Sequence, residues 1–482
     1  MAPVSPSFRD PAGRCFIFHQ RVLRFVTTDA LAAFEQFLQS DCARRSLAQQ
    51  KLAGTRRLND AEAAQLRENP ELRSIWDEPS LGAVFEHERL SFRSYPHEWP
   101  PEMLWAAGAL TLDLGRAALS EGFGLKDATP HNILFRGSEP VFIDALSFEP
   151  RHPADPIWLP EAQFIRTFLL PLLAQHRWGI PLADVFTTHR DGLEPEAVYR
   201  LCGPLEKFTP RMLALVSIPT WLSRKSARNE ARLYRPRRLA NAEKARFILE
   251  SLFRRLERAL RALEPAKHRD STWSNYMSRH SYDEPAFAAK EKFVAEVLRE
   301  FQPARVLDAG ANTGHFSALA AETGAEVVAV DADAACVGAI WRRACEKKLN
   351  ILPLVVNLAR PSPALGWRYG ECPSFLERAA GAFDGVLMLA VIHHLLVTER
   401  IPLEEILRLV GELTRSWVVL EWIEPEDEMF RHLTRGRDSL HASLTVSVFE
   451  RACSACFDIV RSLPLPGTQR RMYCLKRKDR GR

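Results

Sequence analysis

Residues 306–314, VLDAGANTG, decide the fold of this chain of 482 residues. They join a short apolar run to a helix-length segment, so they predict a turn between a strand and a helix. In such a turn Gly310 lets a ligand approach the backbone, and Gly314 permits close packing where the helix begins. The first N–H groups of that helix have no partner within the helix. The stretch therefore predicts a binding loop at one edge of a sheet.

The apolar runs that follow this loop predict an α/β domain with a mostly parallel sheet. Helix-length segments separate the runs, which is the spacing of successive βα units. The second run ends in Asp331, and an acid at the end of the second strand can accept both hydroxyls of a ribose. The predicted strands are residues 305–309, 326–331, 351–357, 384–390 and 417–422.

The glycine spacing favours S-adenosylmethionine (SAM) over a dinucleotide as the ligand. The dinucleotide fingerprint is Gly-x-Gly-x-x-Gly. Here three residues separate Gly310 from Gly314, and Asp308 stands two residues before the first glycine. This pattern resembles the class I SAM-dependent methyltransferases, and the resemblance extends over residues 300–482. It implies a Rossmann-like, seven-stranded sheet whose seventh, antiparallel strand is residues 469–476.

The resemblance also implies a role for each residue of the site. Asp308 would lie near the methionine amine of the cofactor, and Asp331 would hold its ribose. The family often has an acid near the adenine amine, after the third strand. Asn357 takes that place here and could accept the bond only through its amide oxygen. The implied cofactor-binding residues are Asp308, Gly310, Asn312, Gly314, Asp331 and Asn357.

Two histidines, His393 and His394, follow the fourth predicted strand, where the substrate cleft of this fold opens. A hydroxyl acceptor would benefit from a base, and a neutral imidazole can serve as one near neutral pH. Both are candidate catalytic residues, although adjacent side chains usually point in different directions. The alternative is that they only orient the loop. Upstream, Tyr276, Tyr282 and Lys290 are candidates for closing over the cofactor, with ordinary packing as the alternative.

A second motif lies in the N-terminal half, where residues 125–135, LKDATPHNILF, precede residues 140–144, PVFID. Asp127, Asn132 and Asp144 have the spacing of a base and two Mg²⁺ ligands in phosphoryl transfer. The segment resembles the core of aminoglycoside phosphotransferase-like and protein kinase-like folds. The resemblance implies that Asp127 is the base and that Asn132 and Asp144 hold the metal of an ATP/Mg site.

The same segment departs from the kinase pattern at several points. Lys126 replaces the usual histidine, Asp144 is followed by Ala-Leu, and no glycine-rich phosphate loop or strand lysine is visible. Asp, Asn and Pro also form ordinary turns. Three interpretations stay open: an active phosphotransferase, a degenerate kinase-like scaffold or binding module, and coincidence.

We predict three regions: a kinase-like α+β domain (1–235), a helical connector (236–271) and the methyltransferase domain (272–482). In the connector, leucines recur at spacings of three and four, which places them on one face of a helix. The arrangement of the whole chain resembles bacterial methyltransferases related to nodulation-type proteins. The methyl acceptor stays unidentified, with a small molecule or a glycan-like hydroxyl favoured and RNA as an alternative.

The composition is that of a globular protein, with 46% hydrophobic and 26% charged residues and a net charge of +5. Nucleic acid is not an expected partner, although basic runs at 224–238 and after 470 keep it open. Nine scattered cysteines indicate a reducing compartment. Without an apolar run long enough to span a bilayer or a secretory signal, we expect a cytoplasmic protein. The sequence does not indicate an oligomeric state.

Overall fold

The computed structural model describes residues 9–226, 238–266, 284–434, 436, 441 and 443–478. Within them, no helix combines the length and the apolar character that crossing a bilayer requires. The N-terminal half is built from short strands and helices, and the C-terminal half from one large sheet with helices around it. Tyr276 and Tyr282 lie outside the described residues, as does most of the basic run at 224–238.

The N-terminal half begins with a four-stranded antiparallel sheet in the order β1-β2-β4-β3. The first two strands form a hairpin, because His19 and Gln20 adopt positive φ and reverse the chain. The helix α1 (Thr28–Gln39), which follows β2 in the chain, packs against β2 and β4. The strands are β1 (Gly13–Phe18), β2 (Arg21–Thr27), β3 (Thr55–Arg57) and β4 (Leu81–His87).

Two short antiparallel ribbons complete the strands of this half and carry the second motif. They pair β5 (Phe123–Leu125) with β8 (Phe148–Pro150), and β6 (Ile133–Arg136) with β7 (Glu139–Phe142). Asp127 and Asn132 lie in the connection from β5 to β6, and Asp144 follows β7. The predicted α+β composition of this half is therefore observed, whereas its kinase-like character stays a prediction.

Helices surround these strands. The long helix α5 has an almost continuous apolar surface and is buried along most of its length, which makes it the centre of the N-terminal half. The helices of this half are α1 (Thr28–Gln39), α2 (Asp41–Ala48), α3 (Asp60–Arg67), α4 (Arg73–Trp76), α5 (Pro101–Ser120), α6 (Glu161–Phe164), α7 (Leu170–Trp178), α8 (Leu182–Thr188), α9 (Pro195–Leu201), α10 (Pro210–Met212) and α11 (Ile218–Ser226). A single π-helical turn, Ile165–Leu169, precedes α7, and another, Leu213–Ser217, precedes α11.

The predicted connector contains one amphipathic helix, α12 (Ala242–Arg261). It begins at Asn241, whose side-chain oxygen accepts the N–H groups of Glu243 and Lys244. The leucine face packs onto α5, where the ring of Phe253 lies against Gly115. The helix thus belongs to the core of the N-terminal half, and the predicted domain boundaries stay predictions.

The C-terminal sheet has seven strands in the order β11-β10-β9-β12-β13-β15-β14. The first five pair in parallel, whereas β15 is antiparallel to both of its neighbours. This mixed sheet confirms the predicted methyltransferase-type α/β fold, including the antiparallel strand near residue 470. The strands are β9 (Arg305–Ala309), β10 (Glu326–Asp331), β11 (Ile351–Val355), β12 (Phe383–Met388), β13 (Thr414–Ile423), β14 (Phe457–Pro464) and β15 (Arg470–Arg477).

Both faces of this sheet are buried, because successive side chains of a strand point to opposite faces. In β9, Val306 belongs to one apolar cluster and Leu307 to another. The cluster of Leu307 continues into the N-terminal half, so the two halves share a core. The helices are α13 (Glu284–Phe301), α14 (His315–Glu322), α15 (Ala334–Lys347), α16 (Phe375–Ala379), α17 (Leu403–Leu413), α18 (Glu428–Thr434) and α19 (Val446–Cys453).

Candidate functional site

A cavity of about 700 Å³ opens at the carboxyl ends of the central parallel strands. This is where an open α/β sheet binds its ligands. The structure places six of the predicted site residues in its lining, whereas Gly314 and His393 do not line it. Pro181 of the N-terminal half contributes to the same wall. The six predicted residues in the lining are Asp308, Gly310, Asn312, Asp331, Asn357 and His394.

The glycine loop is held by its neighbours on both sides. Gly310 has φ +75°, and a Cβ atom there would lie 2.1 Å from Cγ2 of Val391, in the loop after β12. Gly314 has φ +77°, and a Cβ atom would lie 2.8 Å from Ile340 of α15. Gly314 therefore permits close helix packing, as predicted. At Gly310 the structure adds a contact that the sequence did not reveal, because Val391 fills the space beside it.

Asp308 is a buried carboxylate at the floor of the cavity, 2% exposed. Its Oδ2 accepts a hydrogen bond of 2.5 Å from the Ser317 hydroxyl. Burial raises the pKa of Asp308 to about 6, and the nearby charge of Asp331 acts in the same direction. A cationic ligand group beside Asp308 would favour its ionised form.

Asp331 is fixed by the backbone. Its Oδ2 accepts the N–H of Asn312 at 2.8 Å, and its Oδ1 accepts the N–H of Asp333 at 2.9 Å. Each carboxylate oxygen can accept more than one hydrogen bond, so Asp331 keeps acceptor capacity for two hydroxyls of a ribose. The carboxylates of Asp308 and Asp331, together with Gly310, where the structure leaves no room for a side chain, fit a cationic nucleoside cofactor such as SAM.

Asn357 lies at the end of the cavity that follows β11. Its amide oxygen accepts the backbone N–H of Ala359 at 2.9 Å, which forms a turn within its own loop. The oxygen that the resemblance assigns to the adenine amine is thus already engaged once, although an amide oxygen can accept a second bond.

The two predicted histidines differ in their surroundings. His394 lines the cavity, and burial lowers its pKa below 6.5. His393 is 1% exposed, and neither of its ring nitrogens has a hydrogen-bond partner among the described residues. Its pKa lies well below 6.5 because of burial and then the nearby charges of His394, Arg470 and Lys290. The structure thus places His394, and not His393, where a ligand can reach it.

The backbone around His393 and His394 is strained. Ala390 adopts φ +55° directly after β12, and residues His394–Thr398 form a single π-helical turn. Positive φ is costly for alanine, and π-helical turns are frequent at functional sites. The two rings lie 4.2 Å apart between centroids and are tilted by 44° to each other, so His393 packs against His394.

Beneath the cavity lies a buried ionic network. Lys290 Nζ donates to Glu421 Oε2 at 2.7 Å, and Arg470 forms a two-point bond with Asp427. Arg470 Nη1 also lies 3.7 Å from Glu421 Oε1. Lys290 is a candidate for closing over the cofactor, with ordinary packing as the alternative; it lines the cavity, and its Nζ donates to Glu421. Sequence reasoning missed Arg470 and Asp427, because nothing local marks a pairing between distant segments.

A second cavity, of about 880 Å³, lies in the N-terminal half and is closed on one side by residues 371–378 of the C-terminal half. Asp127, Asn132 and Asp144 line it together, as their spacing predicted. Asp127 Oδ1 accepts a hydrogen bond of 3.2 Å from Gln163, and Asn132 Nδ2 is buried without a hydrogen-bond partner among the described residues. No group of three or more described His, Cys, Asp or Glu residues could hold a metal ion.

Arg24 is a residue of this cavity that the sequence analysis did not find. It lies on β2, and its Nη1 is 2.9 Å from Asp144 Oδ1. Its Nε donates to Nε2 of His87, whose pKa is lowered to about 3 by burial and by Arg24. Nδ1 of His87 lies 2.8 Å from the Thr55 hydroxyl. The sequence shows no strand lysine, but this buried strand arginine contacts the second aspartate.

A family model and two solved structures are similar to part of this chain. A family described as "Methyltransferase domain" matches residues 279–444. Among solved structures, the bifunctional kinase-methyltransferase WbdD is 18% identical with a TM-score of 0.30, over 41% of this chain and 40% of WbdD. The N-methyltransferase NodS of Bradyrhizobium japonicum WM9 is 12% identical with a TM-score of 0.30, over 41% of this chain and 99% of NodS.

One relative matches the chain from end to end. The nodulation protein NoeA of Rhizobium meliloti (strain 1021) is 30% identical over 480 residues, which cover 99% of this chain and 96% of NoeA. The methyltransferase domain lies in the half of the chain that holds the first cavity. The chain therefore belongs to the NoeA family of nodulation proteins, and it is a SAM-dependent methyltransferase.

Proposed function

We propose that the protein methylates a hydroxyl of a small-molecule or glycan-like acceptor, with His394 as the base. The observation that carries this proposal is the position of His394 in the same cavity as Asp308 and Asp331. A pKa below 6.5 keeps the imidazole neutral at pH 7, so it can take a proton from a hydroxyl. We also propose, from the name of the relative, that the product serves nodulation.

In this proposal one set of cavity residues binds the cofactor, and His394 acts on the acceptor. Bound SAM supplies an electrophilic methyl group on a positively charged sulfur. In our proposal Asp308 faces the methionine amine, Asp331 binds the ribose, and Asn312, Gly310 and the adjoining backbone shape the wall between them. Gly314 sets the helix against this wall, and Asn357 borders the adenine. His394 then receives the proton that the acceptor hydroxyl loses, and the burial of His393 fixes the ring that packs against it.

The test is to substitute His394 by Gln and by Ala, then measure affinity for S-adenosylhomocysteine (SAH) and turnover separately. The affinity should stay within about threefold of the wild type, whereas turnover should fall by about 100-fold or more, the usual size of a general-base effect. His432→Gln is a matched control, because His432 lies in α18 and lines neither cavity. Full turnover in both His394 variants would refute the assignment.

The acceptor class is tested with isotopically labelled SAM and panels of glycans, small alcohols, amines and RNA. Label on an oxygen that is lost in deoxy analogues would support the hydroxyl proposal. Label on a nitrogen would refute it. The RNA alternative requires labelled RNA together with binding that weakens steeply as salt is raised.

A second candidate function, phosphoryl transfer, is favoured by the second cavity. Asp127, Asn132 and Asp144 line it together. In this proposal Asp127 takes the proton of an alcohol, and Asn132 and Asp144 hold Mg²⁺ with ATP. The wild type should then hydrolyse ATP slowly with Mg²⁺, and Asp127→Asn should remove that activity while leaving SAH affinity unchanged. ATP hydrolysis that is equal in both proteins would refute this candidate.

A further inference from the structure

Two arginines in the lining of the second cavity have no carboxylate partner among the described residues. Arg89 and Arg93 lie on the segment between β4 and α5, and both line the cavity. Arg89 is exposed and Arg93 is half-buried. No hydrogen bond or ion pair joins either guanidinium to another described residue. By contrast, Arg24 and Arg190 of the same lining each face a carboxylate.

The acid next to Arg89 in the chain is already engaged. Glu88 Oε1 lies 2.5 Å from Arg136 of β6, and its Oε2 accepts the backbone N–H of Gly54 at 3.2 Å. Arg89 and Arg93 therefore add two positive charges to the cavity that no described acid neutralises. A cleft with an excess of one sign of charge attracts ligands of the opposite sign.

The two arginines lie near each other and near other groups of the lining. The pKa of Arg89 is lowered by burial and then by the charges of Arg93 and Arg305. Burial raises the pKa of the Cys15 thiol and of the Tyr95 hydroxyl, and the charge of Arg93 opposes both shifts. Cys15 and Tyr95 line the cavity as well, so the guanidinium of Arg93 is close to groups that face its interior.

The backbone that carries Arg93 is fixed from the C-terminal half. Arg378 Nη1 donates to the carbonyl of Arg93, and Nη2 of the same guanidinium donates to the fully buried Glu98. The side chain of Arg378 is itself 3% exposed. A segment that is already fixed loses little conformational entropy when a ligand binds, which favours affinity.

The chemistry of these groups indicates the class of ligand. Guanidinium groups form their strongest hydrogen bonds with carboxylates and phosphates. Asn132 Nδ2, buried without a partner among the described residues, is a further donor in the lining. We propose that the second cavity binds a small molecule whose phosphate or carboxylate group lies at Arg89 and Arg93. A volume of about 880 Å³ is enough for such a molecule.

This inference goes beyond the phosphoryl-transfer candidate, because the binding of an anion requires no transfer step. A nucleotide and a phosphorylated or carboxylated acceptor both carry the required group. The experiment is calorimetry of the full-length protein without Mg²⁺, with inorganic pyrophosphate, ATP, glucose 6-phosphate and citrate as separate probes.

The variant for this test combines Arg89→Gln with Arg93→Gln. The matched control combines Arg254→Gln with Arg451→Gln, which removes two exposed arginines that line neither cavity. SAH affinity reports that each protein is folded, because none of these four residues lines the SAM cavity.

We expect the wild type and the control to bind at least one probe at a single site, and the Arg89/Arg93 variant to bind it at least about tenfold more weakly. Binding of ATP would identify a nucleotide as the source of the anion, whereas binding of glucose 6-phosphate or citrate without ATP would identify an acceptor. Asp127→Asn should still bind the same probe, so this proposal and the phosphoryl-transfer candidate fail separately. Equal binding by the wild type and the Arg89/Arg93 variant would overturn the proposal, as would a wild type that binds none of the probes.

Discussion

Replacing Asp308 by asparagine should stabilise the ligand-free protein while it weakens the binding of SAH. Burial raises the pKa of Asp308 from 3.8 to about 6. At about 1.36 kcal/mol for each pKa unit, the fold disfavours the ionised carboxyl by about 3 kcal/mol. Asparagine has the same shape without the charge, and its amide oxygen can still accept the Ser317 hydroxyl. We therefore expect Asp308→Asn to raise the free energy of unfolding by about 3 kcal/mol above pH 7.

The effect has a defined pH dependence. A carboxyl whose pKa is raised by folding binds its proton more tightly in the folded state, so stability is lost as the pH rises from the unfolded pKa to the folded pKa. The window runs from 3.8 to about 6. The stability difference between the variant and the wild type should thus be nearly zero below pH 4, about half of its full size near pH 5, and complete above pH 7.

Urea unfolding at several pH values measures this difference, and calorimetry with SAH measures the binding. We expect the affinity for SAH to fall at least about tenfold, because the variant lacks the carboxylate that we propose to face the cationic amine. A variant that simply misfolds would lose stability and binding together. Asp458→Asn, at a side chain that is 68% exposed, is the control and should change neither. A variant no more stable than the wild type at pH 7.5, or one with unchanged SAH affinity, would refute this reasoning.

Three further predictions concern this cavity and the ionic network beneath it. The affinity of the wild type for SAH should decrease as the pH falls below about 6, where the buried carboxyl takes up its proton, and calorimetry across pH 5–8 checks this. Gly310→Ala should destabilise the fold by more than about 1 kcal/mol, because φ is positive and the new Cβ meets Val391; adding Val391→Ala should recover part of the loss in thermal unfolding. Glu421→Gln should cost about 3 kcal/mol or more in urea unfolding, because Lys290 and Arg470 are buried cations that face its charge.

The sheet and the binding loop could be predicted because their signals are local. The predicted strands at 305–309 and 326–331 have the bounds that the structure shows, since each consists of an apolar run and ends at a turn. Gly310 and Gly314 both adopt positive φ, a conformation that glycine tolerates without strain. The other predicted strands differ from the observed ones only at their ends, where fraying and neighbouring helices decide. No sequence pattern located β14 (Phe457–Pro464).

Pairings between distant segments could not be predicted. Lys290 and Glu421 are 131 residues apart, and the sequence offers no pattern that links them. The same holds for Arg24 and Asp144, which meet only when β2 lies over the loop after β7. Which of two adjacent histidines faces the cavity depends on a π-helical turn that has no recognised sequence signature.

The strand order has a consequence for the synthesis of the protein. The strand β15 lies between β13 and β14 in the sheet, yet it follows both of them in the sequence and leaves the ribosome after them. Until it emerges, β13 is an open edge with an apolar, buried sequence, and such edges are templates for aggregation. Arg470 is also missing until then, so Glu421 has not yet gained one of its two cations. The nascent chain thus keeps this edge of β13 open until β15 has been made, so protection by chaperones is most valuable up to that point.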